Sequence, residues 1–226
     1  MGSNPDPSPL PFWHVNIAPE NRQEDCPAAL QQLSEKDIGI IGTRDEDYRI
    51  QTWDEVVDIV RSNRLQDFRR WPSDLRRYRE FVWRLNQEWG SVMEYMLSER
   101  LHWTVPITPR SSRPFEHEED FKILFNDWPY GIDKRIVHLV VWTKFDLRED
   151  AETVAEIEQF LERTFLTKVA KDKLLWFINP PSLKSVHTIE HIHVMLFDPD
   201  REFVQTLTNG DKPRGQLLDS ANGSWR

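Results

Sequence analysis

A chain of 226 residues with a formal net charge of −9 has material for one well-cored domain plus a helical appendage, and two independent domains would crowd it. The acidic balance removes any global electrostatic reason to approach nucleic acid or an anionic membrane, so neither is expected as a partner. The one cysteine, Cys26, excludes an internal disulfide, and no apolar run approaches the roughly 20 residues that span a bilayer, so a cytoplasmic location is expected.

Residues 1–11 carry four prolines and predict an extended, disordered leader. Order is expected from Phe12, in a single domain over 12–208. Pro27 opens a short helical turn, and Ser34 caps another before Gly39 and Gly42. Thr52-x-x-Glu55 is a capping box ahead of a helix whose Val56, Ile59 and Val60 share one face. Pro72-Ser73 starts a longer helix with Leu75, Tyr78, Val82, Leu85 and Trp89 as its stripe, stopped by Gly90. Ser91-x-x-Glu94 caps a third, so three helices are predicted between 52 and 101, within a helical part spanning 26–101.

The stretch 104–118, with three prolines, reads as a surface loop, and beyond it the character changes to strands. FKILFND (121–127) and RIVHLVVWTKF (135–145) predict a hairpin joined through Pro129 and Gly131. A helix follows near 151–165, then a strand at 173–179, a Pro-Pro turn, and a last strand over 189–198. The sheet part covers 119–208, and 209–226 reads as a flexible tail with little to bury. The fold class is therefore α+β, with an N-terminal helical segment packed on an antiparallel sheet.

The last strand contains EHIHVML. Alternation puts His191 and His193 on one face, with Ile189 and Met195, and leaves Glu190, Ile192, Val194 and Leu196 for a core side. Such a pair serves either as hydrogen-bonded structure or as chemistry. Other polar groups fall on elements expected to be its neighbours: His138 in mid-strand, Asn126 and Asp127 at a strand end, and Asn179, Lys184, Ser185 and His187 on the approach to the last strand.

The order of these parts resembles the histidine-triad (HIT) superfamily of nucleotide hydrolases and transferases. Phe125-x-Asp127-x-Pro129 is followed by His138-Leu139-Val140-Val141-x-x-Lys144, a helix, Asn179, Ser185-Val186 and His191-x-His193-Val194. The resemblance implies that Asp127 binds ribose hydroxyls, that Asn179, Ser185 and His193 hold phosphate, and that His191 is the nucleophile. Asn126, His138, Lys144 and Lys184 complete the candidate ligand-binding set. The pattern departs at Ile189, where the superfamily has its first histidine, and at Leu183 and Lys184, where it has glycine and glutamine. With that histidine missing, the partner that fixes the nucleophile's tautomer must be a backbone carbonyl or another residue.

Longer runs, among them PFWHVNIAPENR, QTWDEVVDIVRSNRL, KILFNDWPYGIDKRIVHLVVWTKF and SLKSVHTIEHIHVMLFDPD, resemble the fungal N-acetylglucosamine-induced protein family. That resemblance implies a connection with amino-sugar response and supplies no reaction. The expected partner is a small-molecule nucleotide or nucleotide sugar, with no cofactor. Two alternatives stand beside a histidine-dependent enzyme: a non-catalytic regulatory protein that keeps the pocket, or a metal-dependent enzyme using His191 and His193 with Asp127, Glu190 or His138. The arginine-rich stretch 61–79 offers either pairing with nearby carboxylates or a grip on a pyrophosphate. In NDWPYG, Trp128 and Tyr130 either cover the sheet end or stack on a base or sugar.

Overall fold

The computed structural model describes residues 10–148, 150–180, 183–184 and 189–215. Most of the leader, Ser185, His187 and the tail from 216 lie outside the described residues.

Helix α1 (Glu35–Ile41) is capped by Ser34, whose hydroxyl accepts from the Asp37 N–H. In front of α2 (Trp53–Arg61) the Thr52–Glu55 capping box forms in both directions, and it turns Val56 and Ile59 into the protein interior. α3 (Pro72–Trp89) begins on proline and ends at Gly90, whose φ of 76° is left-handed and suits glycine. α4 (Val92–Tyr95) starts from Ser91 and widens into a π-helical turn at Met96–Leu101.

The strands are β1 (Phe121–Phe125), β2 (Ile136–Thr143), β3 (Leu174–Phe177) and β4 (His191–Phe197). They form one antiparallel sheet in the order β1-β2-β4-β3. Between β2 and β3 runs α5 (Ala151–Thr164), capped by Asp150. A further helix, α6 (Arg201–Leu207), follows β4 and is capped by Asp200; the sequence analysis did not assign it. The fold is α+β, and among the described residues no helix is long and apolar enough to cross a membrane.

One face of the sheet is covered by α5 and α6. Ile123, Leu139, Val141, Ile192, Val194 and Leu196 meet Ile157, Phe160, Leu161 and Val204 there. Full burial of each such side chain contributes about 1.5–3 kcal/mol, which makes this the main core. The N-terminal helices cover the opposite face in two separate apolar groups. Leu85, Tyr95 and Leu97 pack on Leu124, Val140 and Trp142, while Val56, Ile59 and Phe68 pack on Ile136, Phe177 and Met195.

This second face carries the histidines, so they too are enclosed: His138 is 4% exposed, His191 4% and His193 6%. Burial of Ile192, Val194 and Leu196 does not leave the alternate residues to solvent, because β4 is central and both of its faces are roofed. Residues 209–215, assigned to the tail, are drawn onto the sheet end. Asp211 pairs with Arg100, and the Gly215 N–H donates to the Asp127 carbonyl at 3.1 Å.

Candidate functional site

Between the two apolar groups of the helix-covered face runs a polar seam. The register sets Val140 opposite His193 and Trp142 opposite His191, with His138 one diagonal step away; β3 places Phe177 opposite His193. The His193 ring stacks on Phe177 with centroids 4.9 Å apart, and His138 lies against Tyr130 at 5.3 Å. Aromatic neighbours fix the ring planes, and hydrogen bonds then fix the nitrogens.

Asn179 Nδ2 donates to His193 Nε2 at 2.9 Å. That leaves His193 Nδ1 to carry its proton, which it donates to His138 Nε2 at 3.0 Å. The Asn126 amide group lies 3.3 Å from both His138 ring nitrogens, and its Oδ1 accepts from the Trp128 N–H at 3.0 Å, closing the turn after β1. The chain Asn126–His138–His193–Asn179 thus crosses β2 and β4 without a formal charge. At its far end Asn179 Oδ1 is buried without a partner among the described residues.

Burial holds the imidazoles neutral. It pulls His138 down to about 3, with the positive charge of Arg70 adding to the effect. His193 is pushed well below its ordinary value by burial, then by His138, His191 and Arg70. His191 is also lowered by burial, against the pull of its bond to the Ile189 carbonyl.

His191 stands apart from the chain. Its Nδ1 donates to the Ile189 carbonyl at 3.0 Å, its ring lies 4.4 Å from that of Trp142, and it meets His193 edge-on at 5.4 Å. A carbonyl only accepts, so Nδ1 holds the proton and Nε2 keeps its lone pair.

The other candidate residues fall into different settings. Asp127 accepts from Arg100 Nε at 3.1 Å and Nη2 at 2.9 Å, and from the Arg214 N–H at 2.9 Å, so the carboxylate that the HIT resemblance gives to ribose is occupied by the protein itself. Lys144 is turned away from the seam: it pairs with the fully buried Asp120 at 3.4 Å. Asp120 also accepts from the Arg110 and Ser111 N–H groups. Lys184 lies beside His191 but is bonded to Glu190 at 2.8 Å. Ser185 lies outside the described residues. The structure therefore brings Asn126, His138, Asn179, His191 and His193 together, keeps Lys184 at the margin and removes Lys144. Among the described residues no group of three His, Cys, Asp or Glu side chains is placed to hold a metal ion; His138 and His193 direct nitrogens at each other instead.

Next to the seam is a cavity of about 80 Å³, walled by α3, the α4 helix and the β1–β2 end of the sheet. Tyr78, Phe81, Trp128 and Trp142 form much of its lining, and Asn126 opens onto it from the seam. Arg100 and Arg70 add charge to its wall. The π-turn carries Arg100 inward, where both Asp127 and Asp211 receive it. Sequence reasoning found neither Arg100 nor Asp211.

A family model described as "Protein of unknown function (DUF3605)" matches residues 52–197, which include the whole seam and the cavity wall from Arg70 to Trp142. The chain belongs to this family. It is 30% identical over 194 residues to N-acetylglucosamine-induced protein 1 of Candida albicans, covering 74% of this chain and 76% of that protein. It is 26% identical over 178 residues to the uncharacterized protein YPL067C of Saccharomyces cerevisiae, covering 73% and 87% respectively. Among solved structures, the crystal structure of HTC1 matches with a TM-score of 0.60 and 26% identity, over 70% of this chain and 94% of that one. The family resemblance read from the sequence is borne out. Asp211, which holds Arg100, lies beyond the stretch that the family model matches.

Proposed function

We propose that the protein binds a nucleotide or nucleotide sugar in the cytoplasm and cleaves or transfers at its phosphate through His191. The observation that carries this reading is the 3.0 Å bond from His191 Nδ1 to the Ile189 carbonyl. It supplies the fixed tautomer that a nucleophilic imidazole needs and that the missing first histidine leaves open. Because burial lowers the pKa of His191, the ring is neutral near pH 7 and its Nε2 lone pair is available.

In the step proposed, Nε2 forms a bond to phosphorus as the bond from phosphorus to the leaving oxygen breaks. The leaving group departs with that electron pair and takes a proton from solvent. The ring is then cationic, and the Ile189 carbonyl faces its remaining N–H. Water cleaves the N–P bond in hydrolysis, or an acceptor hydroxyl does so in transfer. The name of the Candida relative favours an amino-sugar nucleotide as the first ligand to try.

A second reading is a binding protein without turnover. The burial of all three imidazoles favours it, as does the mutual bonding of His138 and His193. One experiment separates the two. The full chain is incubated with a panel of nucleotides and nucleotide sugars, followed by thermal unfolding, product chromatography and a search for an acid-labile adduct on His191. Stabilisation with product and adduct supports catalysis; stabilisation alone supports the second reading; neither overturns both.

A further inference from the structure

The cavity wall holds two guanidinium groups with opposite circumstances. Arg100 is fully committed, bonded to both oxygens of Asp127 and both of Asp211. Arg70 forms no ion pair among the described residues, and its one hydrogen bond uses Nε, donated to the Trp128 carbonyl at 3.0 Å. Among the described residues, neither terminal nitrogen of Arg70 has a partner. Its position is nevertheless fixed, because the guanidinium lies 4.2 Å from the ring centre of Tyr78 and 5.5 Å from that of Tyr130. A half-buried cation held in place by two aromatic rings, with no anion supplied by the described residues, is arranged for an anion from elsewhere.

A second, independent observation lies on the same wall. Trp128 is 6% exposed and its Nε1 is buried with no acceptor among the described residues, although a buried donor left unmade costs about 1–3 kcal/mol. The opposite edge of that indole faces the strap at 211–215, since a side chain at Gly215 would meet Trp128 Cε3 at 3.4 Å and Cζ3 at 3.5 Å. The N–H edge is therefore turned away from the strap. The main-chain carbonyl of Trp128 anchors Arg70, and both residues line the same cavity.

We propose that the Arg70 guanidinium and the Trp128 indole N–H form a subsite for a tetrahedral oxyanion, a phosphate group of the ligand, at the cavity beside the histidine seam. The inference rests on the nucleotide reading only for the identity of the ligand, and names where a second phosphate, one not attacked by His191, is held. Planar N–H pairs of an arginine match two oxygens of one phosphate, and the indole contributes a third donor. In support, the charge of Arg70 reaches the seam, where it adds to burial in holding His138 and His193 below their ordinary values.

The test titrates inorganic phosphate into the full chain by calorimetry, against chloride at matched ionic strength. Saturable binding specific to phosphate is expected, weakened roughly 10- to 100-fold by Arg70→Gln and less by Trp128→Phe. Arg70→Lys, which keeps the charge and loses the fork, is expected in between. Wild-type protein that takes up phosphate no better than chloride overturns the subsite, and so does Arg70→Gln protein that binds as wild type. If the glutamine variant does not fold, Arg70→Lys decides: undiminished binding there also overturns it. Turnover is no part of this readout, so phosphate binding lost with Arg70 in a protein that cleaves no nucleotide upholds the subsite while the catalytic reading falls.

Discussion

His193 Nδ1 lies 3.0 Å from His138 Nε2, and a bond between these nitrogens needs a proton on one and a lone pair on the other. Two protonated rings there would oppose charge to charge in a site closed to water.

Stability should therefore fall on mild acidification. An unfolded histidine titrates near 6.5, whereas folded His138 does so at about 3, so between these values the unfolded chain binds more protons. The stabilisation is fully present above about pH 6.5 and drains away as pH falls, at up to about 1.4 kcal/mol per unit for each depressed group. Urea unfolding between pH 7 and pH 5, where ordinary carboxylates stay ionised, should show this slope. In His138→Gln the slope should drop by about one proton.

His191→Ala should lower any phosphate turnover by ~10²-fold or more, as expected for a central catalytic group, and leave a folded protein. Its unfolding midpoint is measured alongside. Unchanged turnover rejects His191 as nucleophile, and loss of folding assigns the residue a structural role.

Replacing Arg100 with Met should be severe. Asp127 and Asp211 would be left as neighbouring carboxylates, 15% and 11% exposed, with their cation gone. A loss of about 3–5 kcal/mol is expected from denaturant unfolding. Adding Asp211→Asn to that variant should recover part of it, which a double-mutant cycle reads directly.

Lys144→Gln should leave ligand binding and turnover unaltered, although the sequence placed Lys144 in the site. Its partner Asp120 is held down to about 2; burial opposes this, but the Ser111 and Arg110 N–H groups and Lys144 prevail. Removing the ammonium takes away one of several donors, with an expected loss of about 1–3 kcal/mol at pH 7. A change in nucleotide affinity at constant stability would return Lys144 to the site.

Ile192→Ala should cost about 2–5 kcal/mol in unfolding free energy, because Ile192 is fully buried against the α5 side of the sheet. Its effect on ligand binding should be small.

The helix starts were legible because caps are local: Thr52, Ser91 and Pro72 sit within one turn of the groups they serve. The hairpin and the last strand were legible from alternation and β-branched runs, and so were the residues of the seam, since the register of a central strand brings i and i+2 neighbours together. What escaped depends on distance along the chain. Arg100 and Asp211 are 111 positions apart, and neither has a local pattern that announces the other. α6 has only seven residues, too few for a period to show. Lys144 follows β2 just as a ligand-facing lysine would, but its reach was decided by Asp120, which belongs to the turn before β1.

β4 has one further property as a piece of self-assembly. Side chains alternate with a period of two, so a slip of one position against β2 would turn His191 and His193 toward Phe160 and Ile157 and strip His193 of Asn179 and His138. Each unmet buried nitrogen would cost about 1–3 kcal/mol, while the displaced Ile192 and Val194 would gain nothing beside polar neighbours. The two imidazoles thus act as a key that admits a single alignment of the strand, whatever ligand the protein meets afterwards.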